Sequence, residues 1–433
     1  MAVPALTRCQ RAAVLGGAFL AWLFAGLEIS LFVLVHRQMT LELLGTETPE
    51  AVVTRWFAWY QAAFLFGAAA GGWVFGALGD RAGRTRALAA SVLCYSLGAL
   101  ACHECTSAEG MLALRFLACL GVGGVWPNAV ALVAEAWPDA SRPLTAGLLG
   151  AAANVGFVLL GVIGYYHPIT QDAWRWTFLV GASPAFLGLV ILAAVPESPR
   201  WLAARVTVAG GGTSRAPVSE VLRPPLLSRT VLGVLLGAIP VVGSAANANW
   251  LVPWSDAAQH RVTAAAVGGA ATVKPPPDPR TKAKTQITRS GGAVLGSLLG
   301  GLIAGAVGRR LSYFLISLGA CLTSSYIFSQ LDPLHPQFQL AAFVLGFVGI
   351  TYFGWLPLFL PELFPTRVRA TGTGVSFNTG RVVAGAVVLS AGFLLDQFGG
   401  DYGRVGFWTG MIYAAGMLVI WLVPRGATGR LED

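Results

Sequence analysis

Uncharged apolar runs alternate with short polar breaks along almost the whole chain. Ala12–Leu27, Pro143–Tyr166 and Thr177–Val195 each carry no charge, and each approaches the ~20 residues that cross a hydrocarbon core. Windows of this kind predict twelve spans, near 12–35, 56–79, 86–103, 111–136, 143–166, 174–196, 229–254, 288–308, 311–330, 337–361, 371–396 and 404–424. In lipid every backbone N–H and C=O must be satisfied internally, so each span is expected to be a helix. The pattern predicts an all-α membrane protein.

Composition supports this and removes alternatives. Of 433 residues, 55% are hydrophobic and 11% charged, with mean hydropathy +0.66, against roughly 25% charged in a soluble domain. The net charge of +9 and pI near 9.6 do not indicate nucleic acid, because the bases sit in short loops and form no continuous face. With both termini placed in the cytoplasm, 17 arginines fall inside and 10 bases outside, and Arg115 and Arg381 lie within spans. That imbalance follows the positive-inside rule, and a multi-pass protein of a bacterial inner membrane is expected. Arg8 and Arg11 precede the first span as in a signal peptide, but no small-residue cleavage site follows, so the span is read as uncleaved. The stretch Ala257–Thr288 holds Lys274, Lys282 and Lys284 with Pro275-Pro276-Pro277 and reads as a flexible outer loop.

The chain also repeats itself. Glu135-Ala-Trp-Pro138 is followed by Arg142 and Gly147, and Glu362-Leu-Phe-Pro365 by Arg369 and Gly374, at an offset of 227 residues. Gly76…Gly83-Arg84 returns as Gly301…Gly308-Arg309, at an offset of 225. Two matches at nearly one offset predict parallel six-helix halves, 1–202 and 229–433, joined by a cytoplasmic linker 203–228 that contains Gly210-Gly211-Gly212. This is a transporter layout with its site between the halves.

On these residues the chain resembles the major facilitator superfamily over essentially its whole length. Gly76-Ala-Leu-Gly-Asp80-Arg81-Ala-Gly83-Arg84-Thr-Arg86 is similar to that superfamily's loop between helices two and three. Arg115 with Gly121, Gly123, Glu135 and Pro138 resembles its fourth helix. Pro196-Glu197-Ser-Pro-Arg200-Trp-Leu202 and Pro361-Glu362-Leu-Phe-Pro-Thr-Arg-Val-Arg369-Ala-Thr-Gly372 resemble the inner ends of helices six and ten in sugar porters and organic-acid proton symporters. Helix seven departs from the sugar porters. It reads Gly243-Ser-Ala-Ala-Asn247-Ala-Asn249-Trp250, without the glutamines of a sugar-binding run.

Three groups of residues become candidates. Glu28 is the one acid well inside a span, ~24 Å from the inner end of its helix, and Arg115 lies at similar height. The resemblance implies that Glu28 carries a proton and that Arg115 sets its affinity. Arg381 sits ~15 Å into helix eleven with no acid in that helix to neutralise it, a placement suited to bidentate capture of a carboxylate. Asn378 lies one turn before it, and Asn154 is its counterpart by the 227-residue offset. Asn247, Asn249, Trp250, Tyr352 and Trp355 are expected to line the cavity. At the inner ends, Gly76, Asp80, Arg81, Gly83 and Arg84 are expected to gate, the glycines by letting helices approach. The pairs Glu135/Arg142, Glu197/Arg200 and Glu362/Arg369 are expected to form and break there.

Cys102-His103-Glu104-Cys105 has no second cysteine or histidine cluster to complete four zinc ligands, and no phosphate loop or nucleophile motif occurs. The chain is therefore expected to use no metal or cofactor and to be no enzyme. A proton-coupled symporter of a small organic anion is expected, working as a monomer, with a sugar or neutral metabolite as the other substrate class. A substrate sensor and an intramembrane enzyme are the remaining classes, and neither a large cytoplasmic domain nor a catalytic pair supports them.

Overall fold

The computed structural model describes residues 6–137, 142–203, 218–267, 278–365 and 368–423. Much of the expected linker 203–228, Pro138, Arg367 and the three prolines at 275–277 lie outside these residues. Among the described residues twelve helices are long and apolar enough to cross a membrane. They are α1 (Arg8–Leu44), α2 (Glu50–Ala82), α3 (Arg84–Glu104), α4 (Ala108–Ala136), α5 (Arg142–Tyr166) and α6 (Trp176–Ala194). The second set is α7 (Leu226–Arg261), α8 (Thr281–Val307), α9 (Arg309–Gln330), α10 (Phe338–Leu363), α11 (Arg369–Gln397) and α12 (Tyr402–Leu422). Phe186, Leu189, Leu340, Phe393 and Leu418 are exposed on the periphery, which a lipid solvent accepts and water would not. The end of the bundle carrying the arginine-rich loops is called inner here.

The repeat found in the sequence recurs in the packing. A Cβ at Gly67 or Gly71 of α2 would lie 2.4 Å from the Phe116 carbonyl oxygen or 1.9 Å from that of Leu120, in α4. At Gly292 and Gly296 of α8 the corresponding atoms are the Phe343 and Phe347 carbonyls of α10, both at 2.1 Å. Each pair of glycines is separated by the same 225-residue offset. Without a hydrophobic driving force between helices in lipid, association gains from close backbone approach, and only glycine permits it here. Gly83 and Gly308, which open α3 and α9, share a left-handed backbone at φ +113° and +91°. The two sets of helices then meet along two seams, α5 against α8 and α2 against α11.

One expectation is corrected. The predicted outer loop Ala257–Thr288 is largely helical, because the seventh helix runs on as Leu251–Val267 and α8 already begins at Thr281. Lys282, Gln286 and Arg289 fall on the buried face of α8. A hydropathy window counts such charges as a break, although long basic side chains can be enclosed when their helix face turns inward.

Candidate functional site

Glu28 of α1 and Arg115 of α4 meet, and both are fully buried. Arg115 Nη1 donates to Glu28 Oε1 and to the Glu28 carbonyl, each at 3.2 Å, and Nη2 donates to the Ile29 carbonyl at 3.2 Å. The guanidinium also lies over the Phe32 ring, 4.1 Å from its centroid. Glu28 Oε2 has no hydrogen-bond partner among the described residues. It faces Gly181 of α6, where a Cβ would approach it to 2.8 Å. Gly181 therefore leaves the room this oxygen occupies, and nothing in the sequence marked it. An ion pair enclosed this way depends on both members, since removing one leaves a buried charge.

Arg381 of α11 lies in the seam with α2. Its Nη1 donates to the Ala68 carbonyl at 3.2 Å and to Asn378 Oδ1 at 3.4 Å, and the Phe377 ring centroid is 4.7 Å away. No carboxylate lies within ion-pair distance among the described residues. Asn378 itself packs on Gly72, where a Cβ would be 2.6 Å from its Oδ1. In the other seam Asn154 Nδ2 donates to Ser297 Oγ and to the Gly150 carbonyl, each at 3.3 Å. Arg381 and Asn154 thus both bridge the two helix sets, one in each seam.

The remaining cavity candidates separate. The seventh helix breaks after Ala245 and resumes through a short turn at Ala248–Trp250. Trp250 Nε1 donates to the Ala245 carbonyl that the break frees, and its ring meets Phe57 of α2 edge-on at 5.4 Å. Asn247 spends its amide on the Gly406 carbonyl (2.7 Å) and accepts from Ser324 Oγ (3.0 Å). Tyr352 bonds Ser317 at 2.6 Å, and Trp355 Nε1 donates to the Arg309 carbonyl at 3.0 Å. Asn247, Tyr352 and Trp355 therefore tie α7 and α10 to α9 and α12 within one helix set, contrary to the expectation that they face a cavity. Helical periodicity alone does not tell these two inward directions apart. Asn249 keeps a buried Oδ1 without a partner.

At the inner end the expected pairs are rearranged. Arg84 pairs with Asp80 and lies 3.7 Å from Glu135, and Glu135 also accepts from Ser198. Glu197 accepts from the backbone N–H of Thr85 at 3.1 Å, at the start of α3, where free amides favour an anion. It fills the space a Cβ on Gly83 would need. Trp201 Nε1 donates to the Asp80 carbonyl at 2.8 Å. In the second set Arg309 pairs with Glu362 at 2.8 Å, the repeat of Arg84 with Glu135. Arg81 and Arg200 are exposed, the Arg142 side chain lies outside the described residues, and Arg369 Nε donates to the Phe364 carbonyl at 3.3 Å. Gly76 makes no close approach, contrary to expectation. Gly79 does, against Asn128.

The outer ends of the two helix sets are joined by residues that sequence reasoning passed over. Gln38 Nε2 of α1 donates to Asp256 Oδ2 of α7 at 3.3 Å, and Thr54 and Tyr402 hydroxyls are 2.9 Å apart. His36 and Lys282, both buried, are electrostatic neighbours of Asp256. The signal available in the sequence was an acid, Asp256, within four residues of a histidine at the end of an apolar run.

Residues 11–211 match the family described as sugar (and other) transporter. The chain is 29% identical to a probable 4-methylmuconolactone transporter of Cupriavidus pinatubonensis, over 82% of this chain and 79% of that one. It is 26% identical to a cis,cis-muconate transport protein of Acinetobacter baylyi, over 94% and 92%. Its fold matches the crystal structure of a D-xylose-proton symporter with a TM-score of 0.71, at 17% identity, over 97% of this chain and 99% of that one.

Proposed function

We propose, for a chain that belongs to the major facilitator superfamily of multi-pass inner-membrane transporters, that it carries a small organic anion inward together with protons. The observation that carries this reading is the unequal placement of buried charge. Among the described residues one acid–base pair, Glu28 with Arg115, keeps a carboxylate oxygen without a partner, while Arg381 lies in a seam between helix sets with no acid in ion-pair distance. Glu28 would accept a proton on its free oxygen, and Arg115 would hold the carboxylate between turnovers. Neutralising Glu28 loosens α1 from α4, and a substrate carboxylate would offset the charge of Arg381, with Asn378 and Asn154 beside the seams. The sets 1–202 and 229–433 would rock about the site, with both termini cytoplasmic, as a monomer. The inner networks around Asp80, Glu135, Glu197 and Glu362 would set which side is open. Relatives named for muconolactone and muconate transport support an organic acid.

Uptake by proteoliposomes under an imposed pH gradient tests the reading. Labelled monocarboxylates, dicarboxylates and hexoses are offered separately. Carboxylate accumulation that collapses when the gradient is dissipated is the expected result. Accumulation of hexose with no carboxylate uptake would instead establish the sugar class.

A further inference from the structure

Resting on the anion reading above, we propose that Arg289 of α8 is a second carboxylate-binding residue, and that the preferred substrate is therefore a dicarboxylate.

Arg289 lies eight residues into α8, ~12 Å from its outer end, on the face that carries Lys282, Gln286, Ser290 and Ser297, all buried. This face meets α5 across the seam. Gln286 Nε2 donates to the Phe157 carbonyl at 3.0 Å, and the Arg289 guanidinium lies 5.5 Å from the Phe157 ring centroid. The side chain is 2% exposed. Its Nε and Nη2 are both sealed and make no hydrogen bond among the described residues. Among the described arginines it alone leaves two guanidinium nitrogens in that condition. Tyr413 of α12 is its titratable electrostatic neighbour, and among the described residues no acid lies within ion-pair distance. Ser290, the next residue, also holds a buried hydroxyl without a partner.

A guanidinium does not shed its proton in a protein, so the charge stays. An unpaired cation at this depth is expensive. Nε–H and one Nη–H form the side-on edge of the guanidinium, whose two parallel donors match the oxygen spacing of a carboxylate. The two donors left free are those of that edge.

Charge balance then gives the substrate class. Among the described buried groups, Arg115 is balanced by Glu28, and Lys282 has Asp256 as its electrostatic neighbour. Arg289 and Arg381 remain, one in each seam, without acids. Two fixed positive charges are neutralised by two negative ones. A dicarboxylate supplies both in one molecule, while a sugar supplies neither and a monocarboxylate leaves one cation exposed to the low dielectric.

The test compares binding of cis,cis-muconate and its monomethyl ester to the purified full-length protein by calorimetry. Wild type is expected to bind the diacid at least tenfold more tightly than the half-ester. Arg289→Gln should abolish that preference, leaving half-ester affinity within about twofold, and Arg289→Lys should reduce the preference severalfold while keeping the charge. The Lys variant keeps the test open should the Gln variant fail to fold. A wild-type preference for the diacid that survives in both variants would overturn the assignment to Arg289 and leave the anion reading standing. Wild-type protein that binds neither acid would overturn both.

Discussion

Arg115 and Arg381 are both buried arginines in helices that pack against the same element, α2, yet their surroundings differ. Arg115 is held by a carboxylate, two carbonyls and an aromatic face, all within the first six helices. Arg381 reaches out of its own helix set to a single carbonyl of α2, and Arg289 meets only the Phe157 ring of α5. Two close glycine approaches recur between the sets, Gly67 and Gly71 on α4 and Gly292 and Gly296 on α10, at an offset of 225 residues. Duplication has therefore preserved what helices need to approach one another, while buried charge has diverged. One set carries a neutral pair, Glu28 with Arg115, and the other carries Arg289 and Arg381, without an acid in ion-pair distance among the described residues.

The comparison breaks first at Glu28. For a monocarboxylate carried with one proton, two pH units sustain about a hundredfold accumulation, since each unit is worth about 1.4 kcal/mol. Glu28→Gln should reduce accumulation to equilibration while exchange of labelled for unlabelled substrate continues. The two carbonyls and the Phe32 ring still hold Arg115 in that variant. Accumulation at the wild-type level would end the coupling role and make the pair a structural one.

Arg381 sharpens the other side. Arg381→Lys keeps the charge and can still reach the Ala68 carbonyl but loses the planar fork, so carboxylate affinity should fall about tenfold, or 1.4 kcal/mol. Arg381→Gln should remove most of it. Titration of both purified variants with a monocarboxylate decides. Unchanged affinity in both would show that the cation serves only the α2–α11 seam.

Asp80 tests whether the two inner ends do the same work. Asp80→Asn weakens the contact with Arg84, and Glu135 remains near that arginine. Turnover in proteoliposomes should fall about three- to tenfold with substrate affinity unchanged, as for a shift in a conformational equilibrium of about 1 kcal/mol. Wild-type turnover would assign the network to stability.

The smallest effect is expected at the outer end, where Gln38 and Asp256 join the sets. Gln38→Ala removes one hydrogen bond, worth about 1 kcal/mol. Accessibility of a cysteine probe placed behind it, read from the outer side, should rise about fivefold. No change would mean that the Thr54–Tyr402 and Phe57–Trp250 contacts close this mouth without it.

How much of this was legible beforehand varies by residue. Glu28 with Arg115 was legible from matching depth together with the family resemblance, which implies an acid in helix one and an arginine in helix four. Asp80, Arg84, Glu135 and Glu362 were legible as inner-end charges, but not their pairing. The sequence suggested neighbours a few residues apart, whereas the structure pairs Arg84 with Glu135 and Arg309 with Glu362, across helices. Arg289 and Lys282 were not legible, since a window average reads basic residues as the end of a span.

What the amino-acid sequence determined by itself is the solvent and the count. Too few charges and apolar runs of ~20 residues select helices over barrel strands as the way to satisfy the backbone in lipid, and a 225- to 227-residue repeat sorts them into two related sets. The tertiary structure decided which polar groups find partners. Asn247, Tyr352 and Trp355 turned into their own helix set, while Arg289 and Arg381 turned toward the other. Each of these residues lies on an inward helix face, and its periodicity is the same in both cases. The difference is which neighbouring helix the face meets, and that is set by packing between segments far apart in the chain.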